Sequence, residues 1–215
     1  MSRRVSLLMV LVTMVLLLAA CGEAEPKYAA GDVLLSETFS EADAWEVFVS
    51  DDSDLQVSDG AYHIQTGPGG YIWGLNEAEH SNVEMEVTAR QLSSHDNNAY
   101  GLMCRADTSN DGDGYYFLVS GDGFYSIRKG EGDDVVALID WKESSAINEG
   151  QATNKIRAVC AGNYLGLWVN DKFVAETNDT AYTSGYAGLA AAAFDGGDAD
   201  ISFDDLTIKV ASLTQ

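Results

Sequence analysis

Three groups of side chains carry chemistry by type and spacing. Glu84 and Glu86 alternate with apolar residues in Val83-Glu-Met-Glu-Val87, so a strand places both carboxylates on one face. Retaining glycoside hydrolysis needs two carboxyls about 5 to 5.5 Å apart, and i, i+2 positions on a strand come near that. A solvated strand face would carry the same pattern. The second group is Asp107-Thr-Ser-Asn-Asp-Gly-Asp113, in which Asp107, Ser109 and Asp111 alternate and Gly112 follows. That is the opening half of an EF-hand-type loop and would offer hard oxygens to a structural Ca²⁺ through Asp107, Asp111 and Asp113. Leu118 stands where such a loop needs its bidentate Glu, so a polar hairpin loop is the competing reading. The third group suits sugars, which need aromatic faces for C–H stacking and planar donors for hydroxyls. Tyr71, Trp73, Tyr100, Arg105 and Trp141 are the candidates, with Tyr71 and Trp73 on one strand face and Met103 and Arg105 on another. Arg105 lies inside an otherwise apolar strand and should face solvent or a cleft. Any one of the aromatics could instead be core, as Trp45 and Trp168 are read.

Other chemistries have no signal. His63, His80 and His95 lack metal-ligand spacing, and neither a Gly-x-Ser-x-Gly elbow nor a Walker loop occurs.

The elements that must position these groups read as strands. Between Val33 and Val210 short runs rich in β-branched and aromatic residues recur every 8 to 12 residues or so, bounded by Gly, Asp, Asn or Ser. Asp59-Gly60 and Ser120-Gly-Asp-Gly123 are tight hairpin signals, because Gly and Asp tolerate the positive φ of the primed turns. Only Glu41–Trp45 and Asn76–Glu79 suggest single helical turns. Ala190 to Ala193, flanked by Gly188 and Gly196-Gly197, reads as a small-residue strand against a close neighbour. The pattern predicts an all-β sandwich or barrel of antiparallel strands.

Residues 1–20 are set apart from that fold. Arg3 and Arg4 precede an apolar run from Val5 to Leu18, and Leu18-Ala-Ala-Cys21 closes it. This run is short for a membrane span, which takes about 20 residues. It reads as a signal peptide, and its ending resembles the bacterial lipobox, which implies lipid on Cys21 and an extracytoplasmic, membrane-anchored chain. Residues 21–31 then form a flexible tether and 32–211 a single domain. Without the signal, Cys104 and Cys160 remain, an even pair that in an exported protein points to a disulfide; two buried thiols are the alternative. Ten basic side chains then face 34 acidic ones, a formal charge of −24. So acidic a surface disfavours nucleic acid and electrostatic membrane binding.

Leu34-Leu-Ser-Glu-Thr-Phe39 before Trp45, Tyr100-Gly-Leu-Met-Cys-Arg105, Gly114-Tyr-Tyr-Phe-Leu-Val119, Asp122-Gly-Phe-Tyr125, Asn154-Lys-Ile-Arg157, Leu167-Trp-Val-Asn170 and Phe203-Asp-Asp-Leu-Thr-Ile208 follow an order that resembles concanavalin A-like jelly rolls. The chain is similar there to laminin-G-like and family-16-glucanase-like domains, including those termed 3-keto-disaccharide hydrolase. The resemblance implies two stacked, curved antiparallel sheets with a concave face that binds glycans in many members. It also implies a second calcium site at Glu37 and Asp204. Glucanases of that group carry Glu-x-Asp-x-x-Glu; here Glu86 replaces the Asp and Ala89 the final Glu, so the acid/base is missing. The sequence therefore predicts a lipid-anchored binding module for carbohydrate or another envelope component, without catalysis. A glycoside hydrolase and a protein-adhesion domain are the alternatives.

Overall fold

The computed structural model describes residues 27–41, 44–108 and 111–214. The signal segment and Cys21 lie outside the described residues. Fifteen strands run through the described chain: β1 (Tyr28–Glu37), β2 (Phe48–Val49), β3 (Ser53–Ser58), β4 (Ala61–Thr66), β5 (Ile72–His80), β6 (Val83–Gln91), β7 (Asn98–Ala106), β8 (Gly114–Val119), β9 (Phe124–Glu131), β10 (Asp134–Glu143), β11 (Thr153–Ala161), β12 (Tyr164–Val169), β13 (Lys172–Asn178), β14 (Gly185–Ala193) and β15 (Ala199–Leu213). They form two antiparallel sheets. One has nine strands in the order β13-β12-β11-β6-β15-β4-β3-β2, with β1 along the second half of β15; the other has six, β10-β9-β8-β7-β14-β5. This is the jelly-roll sandwich expected.

The local reasons match the sequence. Asp59 and Gly60 both adopt positive φ (54° and 76°) in the β3–β4 turn, and Gly123 does so (89°) between β8 and β9. Two boundaries differ. β1 begins at Tyr28, inside the stretch read as tether, because Tyr28 pairs with Leu213 and donates its hydroxyl to Glu84. Asn76–Glu79 extends β5 instead of turning as a helix, held by the Trp45–Asn76 bridge and by Asn76 donating to the Ala44 carbonyl.

The main core lies between the sheets and takes one face of each strand: Tyr100, Leu102 and Cys104 from β7, Tyr115, Phe117 and Val119 from β8, Val83, Met85 and Val87 from β6. Cys104 and Cys160 form a disulfide that joins the two sheets through β7 and β11. A second apolar cluster covers the outer face of the six-stranded sheet, with Ala99, Met103, Tyr116, Leu118, Ala190 and Ala192 beneath Tyr71, Trp73, Trp141 and Phe194. A third, smaller one on the outer face of the nine-stranded sheet packs Tyr28 and Trp168 against Tyr164. Trp45 is core as expected, whereas Trp168 is not.

Candidate functional site

The outer face of the six-stranded sheet gathers part of the predicted sugar-binding set and discards the rest. Tyr71, Trp73 and Trp141 are on it. Tyr100 is not: it points into the main core, fully buried, with its hydroxyl against the Asn154 amide. Arg105 is not there either. Cys104 and Arg105 together oppose Ala187 in a β-bulge, and Arg105 adopts φ 54°, which breaks the alternation that would have put it beside Met103. Its guanidinium turns into the end of the sandwich, 3% exposed, and donates to the carbonyls of Ser81, Gly162 and Tyr182 and to Asn82 Oδ1 at 2.8 to 3.1 Å. It is a clamp between turns.

The sheet curls toward this outer side. Strands β10 and β14 are four spacings apart in the order given, about 19 Å on a flat sheet. Yet Trp141 on β10 and Phe194 just past β14 have ring centroids 6.2 Å apart. Tyr71 continues the row, 6.0 Å from Phe194 and 5.6 Å from Tyr116. These rings pack over Ala99, Met103, Tyr116, Leu118, Ala190 and Ala192, and depressions remain beside Trp141 and beside Trp73. Burial raises the pKa of the Tyr71 hydroxyl, with Arg128 acting the other way, so the group is a neutral donor.

At the end where β7 begins, a pocket of about 210 Å³ opens between Trp141, Phe194 and Phe124 on one side and Asn97, Ser120 and Asp122 on the other. Its polar wall is preorganised. Gln91, fully buried, donates to Ser93 O, His95 O and Asp96 Oδ1. The Asn98 amide donates to Gln91 Oε1 and His95 O while its oxygen accepts from Gly121 N. The Asp96 carbonyl then takes both Ser120 Oγ and Asp122 N. The loop after β6 and the β8–β9 hairpin thus form one hydrogen-bonded block. Phe194 is fixed to it through its N–H to Asn97 O and its carbonyl to His95 Nε2. Asn97 is oriented by donating to Asp195 Oδ2 at 2.6 Å. Asn97, Asp122, Phe124 and Phe194 are not among the site residues expected from the sequence: Asp122 and Phe124 stand out there only as part of a turn and a fold motif and Phe194 only as a strand end, because each lies at a strand terminus whose neighbours come from distant parts of the chain.

Tyr71 and Trp73 also line a groove of about 480 Å³ at the sandwich edge, with Phe48, Leu55 and Ile72. A third depression, of about 430 Å³, is lined by Asp51, Asp52, Asp54, Asp198 and Asp200.

The acid pair sits on the far surface. Glu84 and Glu86 face outward from the nine-stranded sheet, opposite Met85 and Val87 in the core. Glu84 accepts from Tyr28 at 2.6 Å and pairs with Lys209 at 3.3 Å, with Arg157 at 3.9 Å. Glu86 pairs with Lys155 at 3.6 Å. Burial first, and then the Glu84 carboxylate, raise the Tyr28 pKa. These are structural ion pairs between strands, not an open pair of carboxyls flanking a cleft.

The calcium candidates are dispersed. Asp113 spends an oxygen on Gly132 N at 2.7 Å, Glu37 on Phe39 N at 2.7 Å and Asp204 on Asp205 N at 2.7 Å. Asp111 is exposed, Asp107 N bonds the Asp113 carbonyl, and Ser109 lies outside the described residues. Among the described residues no three His, Cys, Asp or Glu side chains gather as a metal site needs.

No family model and no curated protein matches the chain. Solved structures do. The chain is similar to the carbohydrate-binding module CBM66 from Bacillus subtilis (TM-score 0.63, 18% identity, 77% of this chain and 95% of that one). It is similar to a protein of unknown function with a galectin-like fold from Bacillus subtilis (TM-score 0.64, 13% identity, 87% and 100%). It is also similar to the catalytic domain of an endo-1,3-β-glucanase from Thermotoga petrophila (TM-score 0.57, 7% identity, 86% and 98%). At these identities the likeness is one of fold: concanavalin A-like, lectin and glucanase type.

Proposed function

We propose that this chain is a membrane-anchored carbohydrate-binding module that performs no hydrolysis, with its sugar site in the pocket at Trp141. The carrying observation is that pocket: aromatic faces of Trp141, Phe194 and Phe124 oppose amide, hydroxyl and carboxylate groups held on a rigid block. Aromatic rings cover the apolar face of a sugar while fixed polar groups read its hydroxyls. The fold shared with a carbohydrate-binding module and with glycanases supports the same class of ligand.

The carboxyl inventory supports binding without cleavage. Hydrolysis by the two-carboxyl route needs a pair about 5 to 9.5 Å apart across the bond. The pocket lining offers one, Asp122, while Glu84 and Glu86 occupy the opposite surface in ion pairs.

Anchoring is proposed from the Leu18-Ala-Ala-Cys21 ending. Tyr28, the first strand residue, pairs with Leu213, and a Cβ on Gly162 would touch the Leu213 side chain. The Gly162 carbonyl in turn accepts from Arg105 near the far end of β7. The pocket lies where β7 begins, so the nine residues of β7 separate it from the tether by about 26 Å. An anchored chain would hold the pocket away from its own membrane.

The test is a glycan array probed with the full-length protein in a detergent that carries no sugar headgroup, alongside Trp141→Ala. Binding that weakens about tenfold or more in the variant, equivalent to about 1.4 kcal/mol, is expected. A blank array, or binding indifferent to Trp141, would overturn the proposal. Cleavage of a bound glycan would return the hydrolase reading.

A further inference from the structure

We infer that the pocket selects uncharged glycans and rejects carboxylated, sulfated or sialylated ones. This rests on the carbohydrate reading above and names the ligand class of that site.

The pocket has no cation among its lining residues and one exposed carboxylate, Asp122. Two more acids stand directly behind its polar wall: Asp96, which receives the Gln91 amide, and Asp195, which receives the Asn97 amide. Asp140 is the neighbour of Trp141 in sequence and is exposed. Lys142, the other sequence neighbour of Trp141, is exposed and outside the pocket lining, and Arg128 has three of its five N–H groups engaged within the fold. Its Nε and Nη2 donate to the Val135 carbonyl at 3.3 and 3.0 Å, and its Nη1 faces Ser126 Oγ at 3.4 Å and Asp140 at 3.9 Å. Its Cζ lies 6.0 Å from the centre of the Trp141 ring, over that ring. An anionic substituent in the pocket would lose water without gaining a cation and would meet Asp122 at short range. Sites for carboxylate or sulfate place an Arg or Lys to accept that charge. The chain's formal net charge of −22 adds a repulsive field in the same direction.

The rejection is electrostatic and therefore has a signature that shape would not produce. At moderate salt, one like charge a few ångströms away at an exposed site costs about tenfold in affinity or more, and the cost shrinks as salt screens it. The experiment measures full-length protein against matched oligosaccharide pairs that differ only in charge: neutral and C6-oxidised, unsulfated and sulfated, asialo and sialylated. At 0.05 M salt the neutral member should bind at least about tenfold more tightly in any pair that binds, the gap narrowing at about 0.5 M. Asp122→Asn should narrow it too. Asp122 is tied to the supporting block through its backbone N–H, which the variant keeps; because its carboxylate is also a proposed hydroxyl-reading group, the readout is the affinity ratio within a pair and not the affinity of either member. Equal or tighter binding of the charged member, or a gap that ignores both salt and Asp122→Asn, would overturn the inference while leaving sugar binding in place. A blank result for every pair would overturn the carbohydrate reading itself.

Discussion

Replacing Arg105 by Met separates a structural from a ligand-binding role for the most suggestive residue in the sequence. The guanidinium makes four hydrogen bonds, to Ser81 O, Gly162 O, Tyr182 O and Asn82 Oδ1, and its side chain is buried. Burial lowers its pKa, the Tyr115 interaction opposes this, and an arginine remains protonated regardless. Hydrogen bonds to a charged group contribute about 1.5 to 3 kcal/mol each, so four would sum to roughly 6 to 12 if additive. They are not additive, because Ser81 and Gly162 lie in exposed turns whose carbonyls regain water once the guanidinium is gone. A net loss of about 3 to 5 kcal/mol is therefore expected. With a urea m-value of about 2 kcal/mol/M, the unfolding midpoint should fall by roughly 2 M. Arg105→Lys should fall between the two, since an ammonium keeps the charge but not the fork. Glycan binding measured where the variant is still folded should be unchanged. A midpoint shift equivalent to less than about 1 kcal/mol, or lost binding with intact stability, would refute the clamp and return Arg105 to a ligand.

Cys104→Ala with Cys160→Ala should cost up to about 4 kcal/mol from the loop it releases, read by calorimetry with and without reductant; no shift would mean the bridge is not formed. Because Arg105 also ties β7 to the β11–β12 turn, combining these changes with Arg105→Met should be less than additive in a double-mutant cycle. Burial pushes the Asp179 carboxyl up, but the Tyr115 hydroxyl, the Ala181 N–H and Lys129 outweigh it and hold the pKa below the ordinary 3.8. A depressed folded pKa stabilises above the ordinary value and loses that contribution as pH falls through the folded one. Wild type should therefore lose more stability between about pH 5 and pH 2 than Asp179→Asn, and equal urea midpoint losses would contradict this. Glu84→Gln should lower stability by about 1 to 3 kcal/mol through Tyr28 and Lys209 and leave glycan binding untouched; a change in binding alone would reopen the acid pair.

Strand content, hairpin positions, the single pair of cysteines and the acidic balance are local or countable properties, and they could be read without coordinates. Turn positions at Asp59-Gly60 and Ser120–Gly123 follow from φ preferences of the residues themselves, although only the first has positive φ at both central residues; in the second the positive φ falls on Gly123 alone, after Gly121 and Asp122. Facing has no such local origin. Every residue of β7 and β8 is buried, because one side meets the core and the other is roofed by aromatics, so alternation of polar and apolar residues was not there to tell inside from outside. Tyr100 and Trp141 therefore looked alike, although one supports the core and the other walls a pocket. Arg105 was misplaced by one bulge, a register event set by the opposing strand β14. The pocket is the clearest case. Asn97, Asp122, Trp141 and Phe194 are separated by up to 97 positions, and only the curl of the six-stranded sheet brings the ends of β7, β8, β9, β10 and β14 to one place. Pair spacing along a chain fixes which side chains share a strand face, whereas which faces close on each other depends on sheet order, twist and register, and these are settled only when the whole sandwich packs.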